Sequence, residues 1–147
     1  NEANWESAIK NLEIAMRIHR MQPEYNLAMG QCYMELDKLD DAITYFGNVV
    51  RVRPKNINGW TELLKCLYKA EMLEEALEYA GFAFEQTDGK PIFLFYKSAV
   101  LYAMGRSKEA LLNLEAGMNR NPKLVKKFIE INLVFINIAF LFRIISF

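Results

Sequence analysis

Apolar residues along the chain recur at spacings of three and four, which is the period of an amphipathic α-helix. Ala42, Phe46 and Val49 form one such set. Short polar stretches separate the apolar runs and predict turns. The pattern predicts helices over about residues 4–20, 23–36, 39–52, 57–70, 73–87, 91–104, 107–119 and 122–146. Strand signals are weak before residue 125, so the expected fold is all-α.

The helical pattern repeats every 34 residues. A small residue recurs at this spacing in four places: Ala8, Ala42, Ala76 and Ala110. Cys32 and Cys66 have the same spacing. One helix hairpin cannot bury its own apolar face, so neighbouring hairpins must stack. The period therefore predicts an array of helix hairpins, in which small residues allow close approach and large ones fill the space between.

A helix–turn–helix unit of this length resembles the tetratricopeptide repeat (TPR) family. The best match is residues 23–56, where Gly30, Tyr33, Phe46 and Pro54 stand at family positions, although Asn26 replaces the family's Trp. The resemblance covers about residues 1–124. It implies a right-handed α-solenoid of stacked antiparallel helix hairpins, divided into a half repeat and three repeats: 1–22, 23–56, 57–90 and 91–124. Residues 125–147 would form a hydrophobic C-terminal helix.

The resemblance also implies a function, because the first helix of each pair lines a concave face that accepts an extended peptide or a partner helix. By register, the candidate groove residues are Leu27, Gln31, Met34, Thr61, Lys65, Tyr68, Ile92, Phe95, Tyr96, Ala99 and Tyr102. We expect a protein–protein interaction scaffold, in which aromatic rings act as anchors and Lys65 selects an acidic group. The alternative is that some of these rings only pack between helices.

One specialised binding mode of the family is not expected. The carboxylate-clamp form holds a C-terminal carboxylate with Lys, Asn and Arg at set inner positions. Here Leu27 and Gln31 stand where Lys and Asn would be, and Ile92 and Tyr96 stand where Lys and Arg would be. Binding of a chaperone tail is therefore disfavoured.

Composition narrows the classes of partner. Eighteen Lys and Arg residues balance eighteen Asp and Glu residues, so the net charge is zero. Nucleic-acid binding driven by charge needs a basic surplus, and no nucleic-acid partner is expected. The apolar fraction of 52% indicates a globular chain. The sequence does not determine the cellular compartment, although the cytoplasm is favoured. The start at Asn1 suggests a piece of a longer or processed chain.

Little in the sequence suggests catalysis. The chain has two cysteines and one histidine, which excludes a Cys-only zinc site and any site that needs two imidazoles. Equivalent atoms of stacked helices lie about 8–10 Å apart, so Cys32 and Cys66 are predicted to be buried structural thiols rather than a disulfide. His19 is interpreted as a cation at a helix end. We expect a non-enzyme with no cofactor and no metal.

The C-terminal residues 125–147 differ in composition from the rest of the chain. Fifteen of the twenty residues in 128–147 are apolar, whereas a solenoid should end on a helix with a polar outer face. Four interpretations stay open: a homodimer interface, a membrane segment, a segment folded into the chain's own groove, or non-native coding sequence. Charges at Glu130 and Arg143 make a membrane segment less favourable.

These interpretations supply the alternative function, which is self-assembly or membrane anchoring through the C-terminal helix. The candidate self-association residues are Phe128, Phe135, Phe140 and Phe142. A large exposed apolar patch normally marks an interface, so a homodimer through 125–147 is possible beside a protein or peptide ligand.

Overall fold

The computed structural model describes residues 1–19, 22–124 and 126 of the 147-residue chain. This part contains seven helices and no strand: α1 (Glu2–Ile18), α2 (Pro23–Glu35), α3 (Leu39–Val52), α4 (Ile57–Lys69), α5 (Leu73–Gln86), α6 (Ile92–Ala103) and α7 (Ser107–Arg120). The predicted all-α class is confirmed, and these helices follow the periodicity closely. The expected helix over 122–146 lies largely outside the described residues.

The helices fall into two compact units. The first unit (Asn1–Ala70) contains α1 to α4, and the second unit (Glu71–Phe147) contains α5 to α7. In the first unit α1 packs against α2, α2 against α3, and α3 against α4. In the second unit α6 packs against both α5 and α7. Each unit therefore packs helices that are consecutive in the sequence, as stacked hairpins require.

The turns after α2 and α6 have the same backbone design. Gly105 has φ +80°, and its N–H donates to Tyr102 O while the next N–H, of Arg106, donates to Leu101 O. This pair of hydrogen bonds is a Schellman motif, which ends a helix through a residue in the left-handed region. Asp37 has φ +58° at the equivalent place after α2. The helices thus end at equivalent points of the repeat although only one of these turns has a glycine.

Close helix contact in the first unit depends on glycines facing large side chains. A Cβ placed on Gly30 would lie 2.5 Å from Cε1 of Phe46, a fully buried ring. A Cβ on Gly59 would lie 2.7 Å from Cγ1 of Val49. These distances are too short for an added carbon, so α3 packs against both α2 and α4 where the side chain is only a hydrogen atom.

In the second unit α6 forms the centre. Eight of its twelve residues are buried. Ser98 Oγ donates a 2.6 Å hydrogen bond to the carbonyl oxygen of Ala110 on α7, so this buried hydroxyl is satisfied. A Cβ on Gly117 of α7 would lie 2.9 Å from Cε1 of Phe95. The small residues Ala110 and Gly117 of α7 therefore contact the Ser98 hydroxyl and the Phe95 ring of α6.

Both cysteines are buried free thiols, as the sequence predicts. Burial raises the pKa of Cys32, and burial followed by the nearby Glu62 carboxylate raises the pKa of Cys66 to about 12. Both groups therefore stay protonated at neutral pH and serve as small apolar side chains.

Candidate functional site

The candidate residues on α2 lie on the side of the helix that faces away from its most buried positions. Leu27 and Met34 are half-buried, and Gln31 is exposed. Between them, Met29 and Cys32 turn into the core, where they cluster with Ile9 of α1. The spacing of four and three residues places the candidate side chains in one row along the helix. Burial of the opposite side fixes the orientation of this row.

The candidate residues on α4 repeat this arrangement. Thr61, Lys65 and Tyr68 are half-buried, whereas Leu64 and Leu67 are almost completely buried. Burial raises the pKa of the Tyr68 phenol, so its ring is partly removed from water. The six side chains of the two rows, Leu27, Gln31, Met34, Thr61, Lys65 and Tyr68, are called the α2–α4 face below.

Two ion pairs lie at this face, and one of them pairs its cation, Lys65, with a carboxylate. Lys65 Nζ lies 3.4 Å from Glu62 Oε1 on the same helix. Lys69 Nζ lies 3.5 Å from Asp37 Oδ1 and thereby joins the end of α4 to the turn after α2. Lys65, which the sequence assigns to an acidic ligand group, is thus already paired with a carboxylate.

The candidate residues of the second unit differ in accessibility. Ile92 and Tyr102 are half-buried, but Phe95, Tyr96 and Ala99 are buried, with Phe95 fully inaccessible. The expectation that these three line an open groove is therefore corrected, because α6 is enclosed on most sides. Phe95 packs against Gly117 of α7. Ligand binding by the candidate residues of α6 therefore stays a prediction.

The second unit has an open groove that the sequence pattern did not predict. It has a volume of about 470 Å³, and α5, α6 and α7 all contribute to its lining. Its apolar and small lining residues are Leu77, Gly81, Phe82, Leu101 and Leu112. Phe82 is 43% exposed and Leu112 is 65% exposed, so both present apolar surface to water within this groove. We call this surface the α5–α7 groove. A large apolar residue at an outward helix position, such as Leu112, was the signal that could have revealed it.

The remaining predictions concern the C-terminal phenylalanines, a membrane segment and metal sites. Phe128, Phe135, Phe140 and Phe142 lie outside the described residues. Where the chain is described, it has no helix long and apolar enough to cross a membrane. The same part of the chain has no group of three or more His, Cys, Asp or Glu side chains that could hold a metal ion.

Comparison with known proteins gives a result at the level of the fold. No family model matches the chain, and no curated protein matches it. Solved structures of the protein MamA do. One covers 90% of this chain and 78% of its own, at 16% identity and a TM-score of 0.71. A second, of MamA from MSR-1, covers 82% and 69%, at 18% identity and a TM-score of 0.67. A third, of MamA from AMB-1, covers 78% and 62%, at 20% identity and a TM-score of 0.65.

These similarities confirm the predicted fold class, an all-α solenoid of helical repeats. The identities are too low to transfer a ligand or a residue role, since one fold carries many functions. The surfaces of this chain itself therefore carry the evidence for its function.

Proposed function

We propose that this chain is a protein-interaction scaffold of the TPR type, which binds a peptide or a partner helix on the first helices of its repeats. In the first unit the binding surface is the α2–α4 face. Within this proposal the chain acts by binding and not by catalysis.

The observation that carries the proposal is the in-register pair of accessible rows on α2 and α4. Leu27, Gln31 and Met34 occupy the same repeat positions as Thr61, Lys65 and Tyr68. Both helices pack against α3, and the Lys69–Asp37 pair holds their ends together. A rigid scaffold that presents side chains at fixed intervals suits recognition of an elongated ligand.

The chemistry of the α2–α4 face favours an apolar anchor with neutral polar contacts. Met34 is flexible and adapts to a ligand surface, and Tyr68 offers a ring with a polar end. Gln31 supplies an exposed amide that can donate and accept. Because Glu62 already balances Lys65, an acidic ligand group would have to displace that pair.

The titratable groups support binding rather than catalysis. A cysteine nucleophile must be a thiolate, but burial raises the pKa of Cys32 and, to about 12, that of Cys66. The half-buried Tyr68 is the group of the α2–α4 face whose pKa is raised, which keeps its phenol neutral. An uncharged phenol presents a ring with a polar end and does not act as a base.

Peptide display with counter-selection tests this proposal. A library of about 15-residue peptides, roughly four helical turns, is selected against the full chain and counter-selected against the double variant Met34→Ala, Tyr68→Ala. The control double variant is Ile18→Ala, Val52→Ala, which truncates exposed apolar residues on α1 and α3. Circular dichroism checks that each variant keeps its helicity.

The proposal predicts enriched peptides whose affinity falls at least about tenfold in the Met34→Ala, Tyr68→Ala variant, as for loss of interface anchors. The control variant should bind them with unchanged affinity. If every enriched peptide binds the folded double variant as well as it binds the original chain, the α2–α4 face is not the binding surface.

A further inference from the structure

The α5–α7 groove shares no residue with the α2–α4 face, because its lining belongs to the second unit alone. Phe82 of α5 and Leu112 of α7 are large apolar side chains of its lining that remain substantially exposed. Leu77 and Leu101 contribute further apolar lining. Contact of Phe82 and Leu112 with water is unfavourable, so an apolar ligand group would gain free energy by covering them.

The lining of the groove includes a glycine, beside which no side chain fills the space. A Cβ placed on Gly81 would meet nothing within 4 Å. Gly81 precedes Phe82 directly, and both line the groove. Glycine in a helix interior costs about 1 kcal/mol relative to alanine, and here no close contact requires it. The empty space beside Gly81 is therefore available to a side chain from another molecule.

Charged side chains make the α5 side of the groove acidic. Arg106 is paired with Glu109 at the start of α7. Glu78 and Glu85 are exposed on α5, and neither has an ion-pair partner among the described residues. They lie seven residues apart, which places them two turns apart on one side of the helix. Lys97 is the remaining cation of the lining, so the α5 edge is acidic.

We propose that the α5–α7 groove is a second binding site, which takes an amphipathic helix whose apolar side chains cover Phe82 and Leu112 and whose Lys or Arg residues pair with Glu78 and Glu85. Electrostatic complementarity of this kind selects partners and their orientation. This site goes beyond the function proposed above, because none of the candidate groove residues on α2, α4 and α6 lines it.

The test begins with the same displayed library, counter-selected against Gly81→Leu. This variant fills the groove and replaces glycine with a stronger helix former, so its fold is expected to persist. Gly47→Leu is the matched control. Gly47 occupies the same repeat position on α3, and its Cβ site is also free of contacts. Synthetic copies of the enriched peptides are then titrated by fluorescence anisotropy.

The proposal predicts peptides that combine at least two large apolar residues with Lys or Arg. Their affinity should fall at least about tenfold in Gly81→Leu and stay unchanged in Gly47→Leu. The isosteric double variant Glu78→Gln, Glu85→Gln should weaken binding about twofold to fivefold and reduce its salt dependence, since both pairs are exposed.

Three results would overturn the proposal. One is a selection in which no peptide distinguishes the original chain from folded Gly81→Leu. Another is enrichment of acidic peptides at this site. The third is a change in mass by light scattering between the original chain and Gly81→Leu, which would make a second copy of the chain the occupant. Peptides sensitive to Met34→Ala, Tyr68→Ala but not to Gly81→Leu would support only the first site, so the two proposals fail separately.

Discussion

The two units differ at equivalent positions of the repeat. In the first unit Tyr33 and Tyr45 stack with their ring centroids 5.5 Å apart and their planes 7° from parallel. Two repeats later, the second unit has Leu101 and Asn113 at these places. Stacked tyrosines fill the first location, whereas Leu101 and Asn113 line an open groove of about 470 Å³.

A third equivalent position adds to this difference. Glu13 of α1 contributes to the raised pKa of Tyr45, after the larger effect of burial, so its carboxylate lies near the stack. Gly81 stands two repeats later. The same helical frame is thus closed by large side chains in one unit and left open by small ones in the other. Side-chain size at a few positions, rather than the backbone, decides which surface can take a ligand.

The largest expected effect comes from giving the first unit the residues of the second. Tyr33→Leu combined with Tyr45→Asn removes the stack that packs on Ile9, Met29 and Cys32. We expect the free energy of unfolding to fall by about 2–4 kcal/mol, measured by urea denaturation. Leu112→Ala, at an exposed position, should change it by less than about 0.5 kcal/mol. A loss below about 1 kcal/mol in the double variant would show that the stack does not stabilise the first unit.

A smaller loss is expected where a glycine faces a ring. Gly30→Ala places a Cβ 2.5 Å from the Phe46 ring, so either this buried ring or the two helices must shift. We expect destabilisation of about 1–3 kcal/mol by overpacking, despite the better helix propensity of alanine. Denaturation of Gly30→Ala and of the original chain, measured side by side, checks this; equal or higher stability of the variant would refute the close α2–α3 contact.

Alkaline pH should distinguish the units, because Cys66 of the first unit has Val100 as its equivalent in the second. The pKa of Cys66 is raised to about 12, above the ~8.5 of an unfolded thiol. Its contribution to stability is therefore complete below about pH 8.5 and is lost as the pH rises towards 12. At pH 10 we expect a loss of about 2 kcal/mol relative to pH 7.

The control for this pH effect is Cys66→Ala, which has no thiol to ionise. Urea denaturation at pH 7 and pH 10 should show a smaller loss in this variant than in the original chain. An equal loss in both proteins would mean that other groups cause the alkaline destabilisation.

The smallest effect has the opposite sign. Gly81→Ala adds a methyl group where nothing lies within 4 Å, and alanine lowers the entropy of the unfolded chain. We expect stabilisation of about 0.5–1 kcal/mol, measured as a higher urea midpoint. Gly47→Ala should behave in the same way. A loss of stability in Gly81→Ala would contradict the open space beside Gly81 in the α5–α7 groove.

Most of the fold follows from the sequence because its signals are local and repeated. The 34-residue spacing predicts each described helix, and buried Ala42, Ala76 and Ala110 occupy the small-residue positions. The left-handed turn residues Asp37 and Glu71 were not predictable, since neither is a glycine. Both residues occupy the repeat position of Gly105, and this equivalence is the signal that links the three turns.

The candidate site was less predictable. On α2 and α4, the row of candidate residues can be separated from the core by periodicity. On α6 nearly every residue is apolar, from Ile92 to Ala103, and a helix that is apolar on all sides gives no direction to its faces. Phe95 was therefore placed on an open face when it packs against Gly117.

The most direct test is an NMR titration of the full chain with an enriched peptide whose affinity is unchanged in Gly81→Leu. The account predicts saturable amide shifts at Leu27, Gln31, Met34, Thr61, Lys65 and Tyr68. It further predicts that Met34→Ala, Tyr68→Ala removes these shifts while the dispersion of the spectrum persists. Saturable binding that leaves the amides of α2 and α4 unshifted would contradict the central claim that this face binds the ligand.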